Sequence, residues 1–409
     1  MSPDIVAATI FSMTYAGIAL GRIPGLAIDR TGIALLGAIA MLTTGTLNEG
    51  EAFKSINAPT ILLLYSLMVL SAQFTLGGFY TRVALGIVKF VTRPQVFLFV
   101  LIFSSACLSA ILANDIVCLT FTPVICVAAV WACLNPVPFV LALACASNIG
   151  SASTIIGNPQ NMLIGQIGAL QFGKFVSWCL PPTIISLLTT YFIILIMYRG
   201  KWRAQPCKLN DGSDGWPKYD FHQSAKGLIL TAVLIVLFFT DIPREFSALT
   251  IAGIILCSRK MATRTILSLV DWHLITLFCA LFVVVEGVVK YGIPQSGVSL
   301  LASLGYDINH PLVLSSVTLV LSNLVSNVPA VMLLLKNVDL GQTTNLYLLA
   351  LVSTYAGNLF IIGSIANLIT VEQAKVHNVF VSFWLHARVG IPVTLASILV
   401  ALVWAYIPG

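Results

Sequence analysis

Apolar stretches, many of them long enough to cross a membrane, recur along the whole of this 409-residue chain. Hydrophobic residues make up 58% of the chain and charged residues 9%, and its mean hydropathy is +0.98. Because soluble domains carry about 25% charged residues, a soluble globule is excluded. Backbone polar groups in lipid must pair internally, and the stretches are too long for barrel strands, so we predict an all-α polytopic membrane protein. We expect residues 5–21 to form the first span rather than a signal peptide.

Polar breaks interrupt the apolar sequence at matching places in two halves of the chain. Residues 109–116 read Ser-Ala-Ile-Leu-Ala-Asn-Asp-Ile, and residues 322–329 read Ser-Asn-Leu-Val-Ser-Asn-Val-Pro. A second pair of breaks, 155–161 and 361–367, shares an Ile-Ile-Gly sequence followed by Asn four residues after the glycine. Paired breaks of this kind are the best sequence pointer to the binding site of a secondary transporter. The pattern therefore predicts a transporter built from two repeats.

The long polar stretch at 199–226 divides the chain into halves with the same order of apolar segments. We predict a first repeat at 1–198, a cytoplasmic linker at 199–226 and a second repeat at 227–409. Each repeat is expected to contain five membrane-crossing helices, one of them broken, and one re-entrant helical hairpin.

The hairpins are predicted at 95–133 and 310–336. An Asn-Asp pair in the middle of a straight, lipid-exposed helix is costly, whereas a hairpin can bury its polar tip in protein near mid-membrane. The broken helices are predicted at 138–168 and 344–373, with unwinding around Asn148 and around 357–358.

The basic residues give the predicted orientation. With the N-terminus outside and five crossings per repeat, most of the 21 lysines and arginines fall in cytoplasmic loops, as the positive-inside rule requires. The loop at 43–55 carries Glu49 and Glu51, whereas its counterpart near 258–264 is basic. Equivalent loops therefore lie on opposite faces, which predicts inverted repeats and permits alternating access. Both termini are then outside, the 199–226 loop is cytoplasmic, and the net charge of +6 reflects membrane orientation rather than nucleic-acid binding.

Asp115, at the first predicted hairpin tip, is the leading candidate for binding the coupling ion. Removal of water favours the neutral form of a carboxyl group, so Asp115 can carry a proton, although a helix N-terminus favours the charged form. The tip amides of Asn114 and Asn327 can each donate and accept hydrogen bonds with a substrate. The competing interpretation is structural, since Asn and Asp are favoured N-cap residues at the start of a helix.

Further candidates lie in the predicted helix breaks, where unwound backbone offers carbonyls to a cation and polar side chains to a solute. The competing interpretation there is close packing of small residues. Glu286 is a second acid in apolar sequence and a weaker candidate for ion coupling; the alternative is an i,i+4 pair with Lys290 near the outer surface. The substrate-binding candidates in the breaks are Asn148, Asn158, Asn161, Asn358, Ser364 and Asn367.

The sequence contains no motif for ATP use or catalysis. It has no Walker motif, no His-Glu-x-x-His and no Gly-x-Ser-x-Gly, so we predict no cofactor, no metal site and no enzyme activity. The nine cysteines lie mostly in apolar segments without metal-motif spacing and are expected to pack. The predicted centre also lacks Arg and Lys. An amide-lined site with one carboxylate suits a neutral hydroxylated solute or a cation better than a strongly charged anion.

The chain resembles the ion transporter superfamily, in its arsenite permease and sodium/proton antiporter branch, over almost its whole length. Ala113-Asn114-Asp115 and 322–329 resemble that family's two hairpin tips, and 356–374 and 383–388 are similar to arsenite-efflux and silicic-acid-efflux permeases. The resemblance implies a scaffold that moves its substrate site past the membrane centre. Dicarboxylate carriers of the family have Ser-Asn-Thr tips, so the tips of this chain argue against a sodium-dicarboxylate symporter. Carried over residue by residue, the implied ligands are Asn114, Asp115, Asn148, Asn327, Asn358 and Asn367.

We therefore expect a proton-coupled antiporter that exports a small oxyacid, such as arsenite or silicic acid, by alternating access. The alternatives are a sodium/proton antiporter and, less favoured for want of fixed positive charge, an inorganic anion or carboxylate transporter. A channel or a membrane-embedded enzyme fits the paired hairpins and breaks less well. The expected partners are the oxyacid, a proton or sodium ion and the lipid bilayer, with no nucleic acid; a homodimer and an ATPase partner are left open. The expected location is a bacterial-type inner (plasma) membrane.

Overall fold

The computed structural model describes residues 2–21, 27–203 and 218–407, and the regular structure in these ranges is helical. The element order of the first half recurs in the second. The first half contains α1 (Pro3–Leu20), α2 (Arg30–Thr43), α3 (Glu49–Ser55), α4 (Ala58–Leu76), α5 (Phe79–Val88), α6 (Pro94–Ile111), α7 (Asn114–Trp131), α8 (Val137–Ser151), α9 (Pro159–Ile167) and α10 (Phe172–Met197). The second half contains α11 (Phe221–Leu237), α12 (Arg244–Leu256), α13 (Thr263–Leu267), α14 (Trp272–Val289), α15 (Ile293–Ser303), α16 (Pro311–Val325), α17 (Asn327–Leu335), α18 (Thr343–Ala356), α19 (Ile365–Val376) and α20 (Phe383–Ala405).

Helices of the two halves pack against each other reciprocally. α2 packs against α14, and its counterpart α12 packs against α4, the counterpart of α14. In the same way α7 packs against α19 and α17 packs against α9, while α10 packs directly against its counterpart α20. A pseudo-two-fold axis between the halves would produce such an exchange of partners. The pattern supports the inverted repeats at 1–198 and 227–409, which stay a prediction.

Seven helices of the described chain are long and apolar enough to cross a membrane, namely α1, α4, α6, α7, α10, α14 and α20. α6 and α7 are the arms of the first predicted hairpin, and the other five are predicted crossings. The remaining predicted crossings are broken or shorter helices, such as α2 with 14 residues and α12 with 13. A helix of that length covers only about 20 Å, so it spans the roughly 30 Å of hydrocarbon only together with flanking residues.

Two helical hairpins turn around at 112–113 and at Ser326. α17 has nine residues, which corresponds to about 14 Å and is too short to cross the membrane. The α16–α17 hairpin therefore has to turn back before it reaches the opposite surface. The first hairpin has arms of 18 residues, and its tip borders the same cavity as the second tip.

The two broken helices are present, with their breaks at 152–158 and 357–364. Asn148 still lies within α8, so the first break begins a few residues later than predicted. A 3-10 turn at Ile361–Gly363 lies inside the second break. Close backbone approach explains one glycine of the first break: a Cβ added at Gly157 would lie 2.1 Å from the carbonyl oxygen of Ser151.

Gly150→Ala is expected to destabilise the protein by about 1–3 kcal/mol. The added Cβ would lie 2.3 Å from Cα of Ala106 and 2.4 Å from its carbonyl oxygen, and these backbone atoms can move only if α6 shifts. Gly253→Ala is the matched control, because nothing lies within 4 Å of its added Cβ and Ala is favoured in a helix interior. Thermal unfolding of the purified protein in detergent should show a lower Tm for Gly150→Ala alone. Equal Tm values for both variants would contradict this close packing of α6 and α8.

The linker predicted at 199–226 lies partly outside the described residues. At its start, Arg203 forms an isolated antiparallel bridge with Leu134, in the loop between α7 and α8. At its end, the backbone N–H of Asp220 donates to the carbonyl of Gly77, 3.0 Å away. The loops that hold the two ends are both on the predicted cytoplasmic side.

Candidate functional site

Four helices begin at one central cavity. α7 and α17 start there from the hairpin tips, and α9 and α19 start there from the two helix breaks. The free volume of the cavity is about 70 Å³, well below the roughly 300–1,000 Å³ of pockets for drug-sized ligands. It therefore suits a solute of few heavy atoms. The predicted site residues that border it are Asn114, Asp115, Asn148, Asn158, Asn327 and Ser364.

α14, α1 and α2 form the opposite wall of the central cavity. α14 contributes apolar side chains, among them Leu277 and Leu281, and α1 contributes Ile18. α2 contributes its first residue, Arg30. Because Ile18 and Arg30 flank the loop predicted to be cytoplasmic, the cavity extends from the two tips toward that side of the molecule.

Asn114 and Asp115 occupy the first turn of α7 without capping it. The N-cap residue is Ala113, and no side chain caps this helix end. The amide of Asn114 instead donates to Oδ1 of Asn148, 3.3 Å away, and its backbone carbonyl accepts a hydrogen bond from the Ser147 hydroxyl at 3.2 Å. Asp115 is half-buried at the edge of the cavity. The capping interpretation is therefore wrong for both residues.

Asn148 uses its whole hydrogen-bonding capacity to join the two halves of the chain. Its Nδ2 donates to Oδ1 of Asn358 at 2.8 Å and to Oδ1 of Asn367 at 3.0 Å. Its Oδ1 accepts hydrogen bonds from the Asn114 amide and from the Ser364 hydroxyl, the latter at 2.9 Å. An Asn side chain has two donors and two acceptor lone pairs, so no capacity is left over. Asn148 thus fixes the first tip relative to the second break.

Asn158 caps α9 and borders the cavity at the same time. Its Oδ1 accepts from the backbone N–H of Asn161 at 2.9 Å, and its Nδ2 donates to the hydroxyls of Ser151 and Thr354 at 3.0 and 3.1 Å. Gln160, in the first turn of α9, also borders the cavity and donates to Thr354 at 3.2 Å. Since Thr354 belongs to α18, these bonds also hold the two halves together.

Asn161, Asn358 and Asn367 are fully buried, and none of the three is among the described residues that border the cavity. Nδ2 of Asn161 donates to backbone carbonyls of the first break, the shortest of these bonds being 2.9 Å to Thr154. Nδ2 of Asn367 donates to the carbonyl of Gly357 in the second break at 2.8 Å. Asn161 and Asn367 thus hold the unwound backbone in place, and Nδ2 of Asn358 donates to the carbonyl of Cys145 in α8 at 3.3 Å.

The second hairpin tip has a strained backbone and an amide oxygen without a partner. Ser326 has φ 76° and ψ 160°, a combination that residues with a side chain rarely adopt. The next residue is Asn327, whose Oδ1 is buried without a hydrogen-bond partner in the described chain. A Cβ added at Gly357 would lie 2.9 Å from Nδ2 of Asn327, so this tip packs tightly against the second break.

The electrostatic surroundings of the cavity favour oxygen-rich ligands. A helix N-terminus carries about half a positive charge, and four of them meet at the cavity. Arg30 adds a full positive charge at one end, and Asp115 is the one acid among the described lining residues. Backbone N–H groups and amides around a small space are suited to binding the oxygens of a compact oxyacid.

The family model described as "Citrate transporter" (CitMHS) matches residues 15–356, a range that includes both hairpin tips. The chain belongs to the citrate transporter family. It is therefore a multi-pass integral membrane protein and a secondary transporter, not an enzyme.

Relatives of this citrate transporter family member match it over nearly its whole length. The silicon efflux transporter LSI3 of Oryza sativa subsp. japonica is 27% identical, over 96% of this chain and 96% of its own. The transporter named arsB of Dictyostelium discoideum is 26% identical, over 97% and 90% of the two chains. The 46 kDa membrane protein of Mycobacterium leprae is 27% identical, over 99% and 98%. The predicted resemblance to the ion transporter superfamily is confirmed.

A solved structure has the same fold. The YdaH transporter of Alcanivorax borkumensis matches with a TM-score of 0.55 at 12% identity, covering 99% of this chain and 98% of its own. At this identity the likeness concerns the fold alone, and it confirms the predicted all-α polytopic membrane protein.

Glu286 does not border the central cavity, and its predicted pairing with Lys290 is wrong. Glu286 forms an ion pair at 3.4 Å with Lys336, the C-cap residue of α17, and Lys290 pairs with Glu51 of α3 at 2.7 Å. The hydrogen bond from Lys290 holds the pKa of the Glu51 carboxyl below its usual value. The sequence pattern failed because both lysines have partners that are distant in the chain. Glu286 borders a second cavity of about 820 Å³, which we call the outer vestibule because it lies on the predicted outer side. It is lined among others by Glu51, Asn57, Leu163, Phe282 and Lys336.

The expectation that the centre lacks Arg and Lys is also wrong, because Arg30 borders the central cavity. The sequence places Arg30 at the end of a basic loop, and only the packing of α2 against α14 brings its side chain to the cavity. Gln160 and Ser326 are the other polar lining residues that sequence reasoning missed. Their positions next to Asn158 and Asn327 are the signal that could have found them.

Proposed function

We propose that this citrate transporter family member is a proton-coupled antiporter that exports a small oxyacid such as silicic acid or arsenite. The observation that carries the proposal is the cavity of about 70 Å³ between two amide-bearing tips, with Asp115 at its edge. Its size favours a solute of four or five heavy atoms over a tricarboxylate. Its amides and helix N-termini match hydroxyl and oxide oxygens. The names of two relatives, a silicon efflux transporter and arsB, support the same class of solute.

In the proposed cycle Asp115 takes up a proton from outside, and the solute enters the central cavity from the cytoplasm. The two are then exchanged across the membrane, one moving inward as the other moves outward. A neutral solute does not respond to the membrane potential, but an inward proton gains about 2.3 kcal/mol per 100 mV. Coupling to that proton is what allows export against a concentration gradient. The cycle assumes the positive-inside orientation, with both termini outside and the membrane a bacterial-type inner membrane.

Carboxylate or inorganic anion transport is the second candidate, and Arg30 is the observation that favours it. A guanidinium at the cavity, together with four helix N-termini, can offset the charge of an anion. The family's description as citrate transporters points in the same direction.

A sodium/proton antiporter is less well supported. Backbone carbonyls of both breaks, which would be natural cation ligands, accept hydrogen bonds from Asn161 and Asn367. Fewer carbonyl oxygens are therefore free to coordinate an ion.

Flux in proteoliposomes under an imposed pH gradient tests the proposal. Silicic acid, arsenite, citrate and sodium are compared, each with and without the gradient. We expect the pH gradient to drive uphill movement of silicic acid or arsenite, and solute on the opposite side to stimulate exchange, which a channel would not show. Gradient-driven flux of citrate alone would establish the second candidate, and proton movement driven by sodium alone would contradict the lead proposal.

A further inference from the structure

Arg244, the first residue of α12, binds the C-terminal end of α9, which is the second half of the first broken helix. Its Nη2 donates to the backbone carbonyls of Gly165 at 3.1 Å and Leu170 at 2.8 Å. Beside it, Nε2 of Gln166 donates to the Glu245 carboxylate at 3.0 Å. A guanidinium at the C-terminal end of a helix also interacts favourably with the helix dipole. These contacts join α12, which packs against α4, to a helix that forms part of the site.

α9 extends from the central cavity to the outer vestibule. Its N-cap residue Asn158 borders the central cavity, and Leu163 and Ile167 border the vestibule. The two cavities also meet neighbouring residues of α14: Leu281 borders the central cavity, and Phe282 borders the outer vestibule. Both α9 and α14 therefore extend from one cavity to the other.

Arg30 holds the corresponding position in the first half of the chain. α2 begins with Arg30 as α12 begins with Arg244, and the two helices pack against equivalent partners. The counterpart of α9 is α19, and aligning the two Ile-Ile-Gly breaks places Glu372 at the position of Gln166. Yet Arg30 borders the central cavity, and within the described chain it forms no hydrogen bond or ion pair with α19. Arg244 is thus bonded directly to its broken helix, whereas Arg30 interacts with the charge of Glu372 on α19 only at longer range.

We propose that Arg244 and Arg30 are reciprocal latches of the transport cycle. With Arg244 bound to α9, the outer vestibule stays closed off from the central cavity, as in this structure. In the opposite state Arg30 binds the C-terminal end of α19, with Glu372 as its acidic partner, and Arg244 releases α9. Both are positioning residues, since each acts through the broken helix that it holds. The proposal does not depend on which solute is carried.

Two cysteine reporters measure this equilibrium in the purified full-length protein in detergent, without any substrate. Leu163→Cys reports opening at the outer vestibule, and Leu277→Cys reports access at the central cavity. The rate of reaction with a polar maleimide is followed by mass spectrometry of each reporter peptide, so the chain's own cysteines do not interfere. Arg244→Ala is expected to raise the rate at Leu163→Cys and lower it at Leu277→Cys, which changes their ratio about fivefold or more.

Arg30→Ala is expected to change the ratio in the opposite direction. Because Arg30 also borders the cavity, Glu372→Gln tests the same latch independently and should act in the same direction as Arg30→Ala. Arg244→Lys keeps the charge and a donor, so its ratio should lie between those of the wild type and Arg244→Ala. Arg264→Ala, at an exposed arginine of α13, controls for loss of charge and should leave both rates unchanged.

Faster labelling at both reporters in Arg244→Ala would indicate general loosening and would overturn the proposal. An unchanged ratio in Arg244→Ala, or shifts of the same direction in Arg244→Ala and Arg30→Ala, would overturn it as well. Because no solute is added, none of these outcomes bears on whether an oxyacid is the cargo.

Discussion

Asp115→Asn is expected to abolish uphill export while leaving the protein folded. The substitution preserves the shape of the side chain but removes the one acid among the described residues that border the central cavity. With no group there to carry a proton, solute movement is no longer tied to the proton gradient. Exchange against one proton supplies about 2.3 kcal/mol per 100 mV, which sustains a solute ratio of about 50 across the membrane. In Asp115→Asn we expect that ratio to fall to one.

The measurement is the steady-state distribution of silicic acid or arsenite in proteoliposomes with an imposed membrane potential. Asp220→Asn is the matched control, because Asp220 caps α11 away from the cavity and Asn caps a helix about as well. The control should accumulate solute like the wild type. Wild-type accumulation by Asp115→Asn would show that the coupling proton binds elsewhere.

Asn148→Ala is expected to destabilise the protein by about 2–6 kcal/mol and to abolish transport. The substitution leaves the buried amide oxygens of Asn358 and Asn367 without the donor that each of them uses. Each buried polar group left unpaired costs about 1–3 kcal/mol, so the two together give the expected range. The amide of Asn114 also loses its partner, so the tip that carries Asp115 is no longer held against the second break.

Thermal unfolding in detergent and flux in proteoliposomes check this expectation together. Asn337→Ala is the control, since Asn337 is partly exposed and its amide binds only the carbonyl of Leu333 in its own turn, at 2.9 Å. That variant should stay within about 0.5 kcal/mol of the wild type. A wild-type Tm for Asn148→Ala would mean that the network around Asn148 contributes little to the fold.

The hairpin tips and helix breaks could be located from the sequence because polar residues in lipid are costly unless protein buries them. Asn114, Asp115 and Asn327 stand out in apolar sequence for this reason, and all three border the central cavity. The same argument located the two breaks, where Asn158 and Ser364 border the cavity. The alternation of apolar segments was enough to predict the order of the crossing helices and hairpin arms, but the short helices α3, α5, α13 and α15 lie in stretches expected to be loops.

The direction of side chains could not be predicted, because a polar residue in a helix break can face a cavity or the neighbouring backbone. Asn161 and Asn367 lie only three residues after Asn158 and Ser364, yet they bind backbone carbonyls instead of bordering the cavity. Contacts between residues that are distant in the sequence could not be predicted either. Glu286 pairs with Lys336 on a hairpin arm, and Arg30 reaches the cavity only through the packing of α2, so no local pattern indicates either contact.

The fully bonded state of Asn148 limits how proteins of this architecture can acquire new cargo during evolution. Any replacement at Asn148 disturbs four partners at once, so adaptation through this position would require simultaneous changes on both halves of the chain. Leu277 and Val328 border the same cavity with apolar side chains that make no such bonds. We expect the substrate range to diverge by single substitutions at these two wall positions, while Asn148 and its four hydrogen-bond partners stay unchanged.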